Sequence, residues 1–119
     1  MRIAIVPTKK NPMCLNALQL KTLTLLQELA RINGRPAPDS PEGHILVSGL
    51  PNPHGDHFHL GEAVVMSRDA SGLANEGAWA ALERKGLIKA MFPVAAVLTP
   101  AGIAYDTGLR ELILHRAHH

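Results

Sequence analysis

Four residues that could bind a metal ion lie within the short segment His54-Gly55-Asp56-His57-Phe58-His59. Imidazole and carboxylate groups are ligands for zinc and other transition metals, and a flexible loop could fold three of them around one ion. In an extended segment, His57 and His59 would share one face. The spacing matches no zinc signature, so a solvated polar loop is the alternative. The candidate metal ligands are His54, Asp56, His57 and His59.

Cys14 is the one cysteine of the chain and therefore cannot form an internal disulfide. The sequence thus gives no sign of an oxidising compartment. Cys14 lies near the N-terminus of a predicted helix, with Lys9 and Lys10 nearby, which is an environment typical of reactive thiols. The alternative is a buried cysteine that contributes only to packing.

Composition predicts one folded domain spanning residues 1–119, because this length is sufficient to bury a hydrophobic core. Apolar residues make up 46% of the chain and charged residues 18%, which excludes a disordered protein. No apolar run approaches a membrane span, and the residues after Met1 are too few for a signal-peptide core. We therefore expect a cytoplasmic protein with no membrane partner.

The charge balance gives little support for a polyanionic partner. Twelve basic and ten acidic residues give a net charge of +2 with histidine neutral. Protonation of all seven histidines would raise this charge to +9, so anion binding should strengthen as the pH falls through about 6.5. The alternative is a charge that serves only solubility.

Hydrophobic periodicity and turn residues predict helices and strands in mixed order. A long helix over residues 13–33 has an apolar face wider than the usual stripe, and Gly34 is expected to end it in a left-handed conformation. Residues 61–67 are ambiguous, with a helix preferred over a strand. The other predicted elements are a strand at 2–6, a proline-rich loop at 35–53 containing a strand at 44–48, a helix at 73–85, a hairpin at 89–98 and a helix from 99 to about 115.

The second half of the chain resembles a winged helix-turn-helix domain of the kind found in transcription regulators. A helix ending in Leu82-Glu83-Arg84-Lys85-Gly86-Leu87-Ile88 is followed by a hairpin and then by Leu98-Thr99-Pro100-Ala101-Gly102. The resemblance covers about residues 61–109 and, more weakly, 19–35. It implies a recognition helix whose Trp79 and Leu82 face the core. The fold expected is α+β and mainly helical, winged-helix-like, with an added N-terminal strand and a long Pro/His-rich insertion.

The resemblance implies a DNA-binding, transcription-regulator-like protein. The sequence has no Gly-rich phosphate loop after a strand and no nucleophile elbow, so we expect neither enzymatic activity nor a required cofactor. Polar residues early in the recognition helix would face base edges, and basic residues would contact phosphates. The residues that match these roles are Arg68, Ser71, Asn75, Arg84, Lys85 and Lys89. The predicted wing tip at residues 91–96 carries no basic residue, which favours the alternative of a winged helix used for protein–protein contact.

The apolar face of the first helix is wider than one neighbour normally covers, so we predict a homodimer with the first helix, the C-terminal helix or the wing at the interface. Met91, Phe92 and Val94 at the predicted wing tip would add to an apolar patch of the kind that marks association surfaces. In a DNA-binding dimer, the two recognition helices would lie about one turn of duplex apart. A monomer in which the strands at 2–6 and 44–48 cover the extra face is the alternative.

Overall fold

The computed structural model describes residues 11–52 and 55–116. The predicted strand at 2–6 lies outside the described residues. In chain order the elements are α1 (Ala17–Asn33), β1 (Arg35–Pro36), β2 (Ile45–Ser48), β3 (His57–Leu60), β4 (Ala63–Met66), a 3₁₀ helix (Ser67–Ala74), α2 (Glu76–Arg84), β5 (Ile88–Met91), β6 (Ala95–Leu98), α3 (Pro100–Ala104), α4 (Arg110–Ile113) and β7 (His115–Arg116).

Helix α1 begins later than its apolar pattern predicts, because Asn16 caps it. The Asn16 side chain accepts from the Gln19 backbone N–H, and the Gln19 side chain accepts from the Asn16 backbone N–H. This reciprocal capping box satisfies two backbone donors that the helix leaves unpaired. The prediction that Gly34 ends the helix in a left-handed conformation is wrong. Gly34 has φ −67°, and a Cβ there would lie 2.5 Å from both the Ala30 carbonyl oxygen and the Ile45 side chain.

Two antiparallel sheets carry the strands. The first has the order β1-β2-β6-β5 and the second β3-β4-β7. Of the described residues, 41% are helical and 23% lie in strands. The expectation of a mainly helical fold is therefore wrong, and the chain is an α+β protein with a substantial strand content. The strand predicted at 44–48 is confirmed as β2.

The preference for a helix over residues 61–67 is also wrong. Residues 63–66 form β4, which pairs with β3 in the register His59↔Val64 and Phe58↔Val65. Two adjacent β-branched residues, Val64 and Val65, suit a pleated strand better than a helix. The insertion predicted to be a Pro/His-rich loop thus contains a β-hairpin.

The 3₁₀ helix and α2 pack side by side against α1. The closest approach is at Gly72, where a Cβ would lie 1.8 Å from the Thr22 hydroxyl oxygen, so that only glycine fits. An ion pair between Lys21 and Asp69, 2.8 Å apart, fixes the same contact at its edge. Together these contacts set the position of the chain immediately before α2.

The prediction of a single C-terminal helix from 99 to about 115 is wrong as well. The Thr99 hydroxyl caps α3 as expected, accepting from the Gly102 N–H, but that helix ends at Ala104. The chain then turns at Asp106, whose carboxylate accepts from the Gly108 N–H, and α4 begins only at Arg110. Among the large apolar residues of this segment, Ile113 is buried, Leu109 is half-buried, and Ile103 and Leu112 are exposed.

The core lies between α1 and the four-stranded sheet, and α2 closes one end of it. Its largest fully buried side chains include Leu23, Leu26, Trp79, Leu82 and Leu98. The wide apolar face of α1 is covered by the chain's own elements, because the 3₁₀ helix, α2, β2, β6 and α3 all contact it. None of the described helices is long and apolar enough to cross a membrane.

Candidate functional site

One side of helix α2 packs against α1, the 3₁₀ helix and β5, and its other side is open to solvent. The Asn75 side chain caps its first turn by accepting from the Ala78 N–H at 3.0 Å. Trp79 is fully buried, donates its indole N–H to the Gly72 carbonyl at 3.1 Å and packs edge-on against Phe92, with ring centroids 5.1 Å apart. The predicted inward orientation of Trp79 and Leu82 is confirmed.

All six side chains predicted to contact DNA are exposed. They lie on adjoining elements, since the 3₁₀ helix leads directly into α2, and β5 packs against α2. Lys85 also has a structural role, because its ammonium donates to the Met13 carbonyl at 2.8 Å. The exposed residues are Arg68, Ser71, Asn75, Arg84, Lys85 and Lys89.

Acidic residues lie on the same open side of α2. Glu76 and Glu83 are exposed, and the Glu83 carboxylate accepts from the Ala90 N–H at 3.4 Å. Gly77 is also exposed and Ala80 half-buried, so the middle of this helix face carries no long side chain. A polyanion approaching α2 would therefore meet cations at the two ends of this surface and carboxylates along the helix.

The turn between β5 and β6 is apolar and only partly covered. Met91 is 45% and Val94 68% exposed, whereas Phe92 is half-buried against Trp79. This turn carries no basic side chain, as the sequence indicated. Its exposed residues offer apolar surface instead of phosphate contacts.

The histidine-rich segment forms the start of β3. The Asp56 carboxylate lies 2.8 Å from His57 Nδ1, and this contact holds the pKa of Asp56 below its usual range. The rings of His57 and His59 are 6.1 Å apart. Within residues 11–52 and 55–116, no three His, Cys, Asp or Glu side chains are grouped closely enough to hold a metal ion. His54 lies outside the described residues, so the four-residue metal site stays a prediction.

Cys14 is exposed, so its interpretation as a buried packing residue is wrong. Its backbone has φ +55°, and its N–H donates to the Asn11 carbonyl in a tight turn before α1. The Asn11 side chain bonds both the N–H and the carbonyl of Leu15, which fixes this turn. Lys9 and Lys10, which were expected to lie near the thiol, fall outside the described residues.

A second site, which the sequence did not predict, lies at the far end of α1. There an open cavity of about 1010 Å³ is bordered by α1, the β3–β4 hairpin and the C-terminal segment from α4 to β7. Glu28 lines it with only 3% of its side chain exposed. Its carboxylate accepts hydrogen bonds from both Arg31 and Arg110. We call this group of three residues the Glu28 cluster.

The Glu28 cluster is a charge-assisted network with one acceptor and two donors. Arg31 comes from the next turn of α1, whereas Arg110 lies 82 residues away in the C-terminal segment. Hydrogen bonding from Arg31, followed by that from Arg110, holds the pKa of Glu28 below its usual range despite burial. Glu28 correspondingly raises the pKa of Arg31. The cluster thus stays fully charged at neutral pH.

One sequence signal could have indicated this cluster. Glu28 falls on the apolar face of α1, three residues after Leu25 and one before Leu29, where a lone carboxylate requires a cationic partner. The sequence does not indicate that Arg110 is that partner, because the pairing depends on the turn at Asp106.

No protein-family model, curated protein or solved structure matches the chain.

Proposed function

We propose that the protein binds duplex DNA through the surface formed by the 3₁₀ helix, α2 and the β5–β6 hairpin, as a transcription-regulator-like winged-helix protein. The observation that carries the proposal is the sequence of elements around α2. A backing helix, a short helix, a capped helix and a two-stranded hairpin follow the order that the resemblance implies. The 3₁₀ helix at 67–74 takes the part of the short helix expected at 61–67.

The roles of the side chains follow from their chemistry. Arg68, Arg84 and Lys89 are exposed and suited to phosphate contacts, which supply affinity without sequence information. Asn75 uses its carbonyl oxygen to cap α2, so its amide N–H groups remain the donors for a base acceptor. The carboxylates of Glu76 and Glu83 oppose phosphate, so we expect affinity in the weak part of the usual range. The proposal includes no catalytic step.

The first prediction tests the phosphate contacts. Replacing Arg84 and Lys89 together with alanine should weaken binding to every duplex sequence, because phosphate contacts do not read bases. The slope of log affinity against log salt should fall by about 0.9 for each lost contact. Fluorescence anisotropy with a labelled random duplex, repeated at several salt concentrations, measures both effects. Lys85 is left intact because it also bonds the Met13 carbonyl.

Arg35→Ala is the matched control for this experiment. Arg35 is exposed on β1, at the opposite edge of the four-stranded sheet from β5, so its loss should leave affinity and salt slope unchanged. Equal weakening by the control would show that binding is not localised to the α2 surface. Absence of binding by the unaltered protein at concentrations on the order of 100 μM, the weak limit of non-specific binding, would refute the proposal.

A second candidate function is protein–protein contact, including a homodimer, and the exposed apolar turn of the β5–β6 hairpin favours it. The wide apolar face of α1 no longer argues for a dimer, because the chain's own elements cover it. The exposed side chains of Met91 and Val94 are the remaining support for self-association. If this turn is the interface, Val94→Lys should shift the sedimentation equilibrium towards monomer, because it would bury a charge. Ala101→Lys, at an exposed site on α3, should not. A monomer mass for the unaltered protein at high concentration would exclude the homodimer.

A further inference from the structure

The cavity beside the Glu28 cluster is a separate candidate binding site, because no residue of the proposed DNA surface lines it. It is open to solvent and large enough for a small molecule, at about 1010 Å³. Its walls come from three parts of the chain: α1, the β3–β4 hairpin and the C-terminal segment. A ligand here would contact all three.

Guanidinium groups are the most distinctive feature of the lining. Arg31, Arg110 and Arg116 all border the cavity. Glu28 binds two of these groups from its buried position, which orients them while leaving more than half of each side chain exposed. An arginine that is already oriented loses less conformational freedom when it binds a ligand. Within the described part of the chain, Arg116 has no ion-pair partner.

The other ionisable groups of the lining offset the charge of the arginines. Glu62 and Glu111 border the cavity, and together with Glu28 they balance the three arginines. His59 and His115 also line the cavity, so their imidazole rings lie where a bound ligand would contact them.

We propose that this cavity binds a small ligand carrying an oxyanion, a phosphate or a carboxylate, through Arg31, Arg110 and Arg116. Planar guanidinium groups match both kinds of oxyanion with paired hydrogen bonds. Glu28 positions two of the arginines and is not itself a ligand-binding group. The proposal is independent of DNA binding, and its test uses no DNA.

The experiment is an NMR titration of the imidazole resonances of the whole protein at about pH 6 and constant ionic strength. Inorganic phosphate and acetate are the two probes, and sodium chloride is the reference salt. A saturable shift of His59 and His115 is expected, with a Kd on the order of 1 mM for an open, hydrated site.

Substitutions test whether these shifts arise from binding in the cavity. Arg116→Gln should raise the Kd about fivefold, an amount typical of losing one charge-assisted contact, and Arg116→Lys should restore part of the affinity. Arg35→Gln, at an exposed site on β1 outside the cavity, should leave the Kd unchanged. Thermal unfolding of each variant checks that the fold is intact.

The two probes distinguish the ligand classes. Shifts with phosphate alone identify a phosphate ligand, shifts with acetate alone a carboxylate ligand, and shifts with both a site that recognises the shared oxyanion. The proposal is overturned if neither probe produces a saturable shift, or if Arg116→Gln and Arg35→Gln change the Kd equally. It is likewise overturned if sodium chloride alone reproduces the shifts.

Discussion

Trp79→Ala should cost about 4 kcal/mol of unfolding free energy, the largest loss expected for any single substitution considered for this protein. The side chain is fully buried, and its removal would leave a cavity between α2, the 3₁₀ helix and the β5–β6 hairpin. Domains of this size are stable by about 5 to 15 kcal/mol, so the variant should lie close to its unfolding threshold. Urea denaturation followed by far-ultraviolet circular dichroism measures the loss without relying on tryptophan fluorescence.

Trp79→Phe is the matched control. A phenyl ring keeps most of the packing against Phe92. The substitution removes the indole N–H, which donates a hydrogen bond to the Gly72 carbonyl. The Gly72 carbonyl retains a second donor, the Asn75 N–H at 3.0 Å, so it does not become unsatisfied. We expect a loss of only about 1 to 2 kcal/mol. Equal losses for alanine and phenylalanine would show that the hydrogen bond, and not the packing of the ring, holds α2 in place.

Sequence patterns predicted the parts of this fold whose signals are local. Strand β2 and the β5–β6 hairpin follow from short apolar runs between turn residues. The cap of α3 at Thr99 follows from a proline at the next position. In each case, residues within a few positions of one another decide the structure.

The errors arose where distant contacts decide between local alternatives. Residues 63–66 form a strand because they pair with β3. The sequence of the histidine-rich segment did not indicate that it would form this partner strand. Gly34 suited a left-handed helix end, but its small size serves the close approach of Ile45 instead. The C-terminal helix breaks where Tyr105 turns to bond Asn11 and the Met13 N–H, more than 90 residues earlier in the chain.

The two candidate sites also differ in how far their residues lie apart in the sequence. The residues proposed to contact DNA lie on consecutive elements, so one stretch of sequence contains nearly all of them. The Glu28 cluster joins α1 to α4, and nothing local to Arg110 distinguishes it from an ordinary exposed arginine. Only the unexplained position of Glu28 on an apolar helix face pointed to a partner elsewhere.

Glu28→Gln should cost about 2 kcal/mol of unfolding free energy at pH 7, and the loss should shrink in acid. An amide cannot accept hydrogen bonds from two guanidinium groups as strongly as a carboxylate does. Both arginines are more than half exposed and keep their hydration, so the loss stays below that for a fully buried ion pair. Urea denaturation of both proteins between about pH 7 and 3 measures the difference.

The direction of the pH effect follows from the pKa of Glu28. Hydrogen bonding from Arg31, then from Arg110, holds this pKa below its usual range in the folded protein. In the unfolded chain a glutamate titrates near pH 4.3, so the stabilisation is fully present above that pH. It is lost as the pH falls through the lower pKa of the folded state. The difference in stability between the unaltered protein and Glu28→Gln should therefore begin to shrink as the pH falls below about 4.3, and it should vanish only below the folded-state pKa.

Glu62→Gln separates the hydrogen-bonded cluster from the general charge of the cavity. Glu62 lines the same cavity and acts on Arg31 through charge, but it is exposed and forms no ion pair among the described residues. Its replacement should change stability by less than about 0.5 kcal/mol at any pH. A pH-independent loss for Glu28→Gln would contradict the charged state assigned to this carboxylate. Equal losses for the two variants would mean that the cavity's overall charge, and not the hydrogen bonds from Arg31 and Arg110, joins α1 to the C-terminal segment.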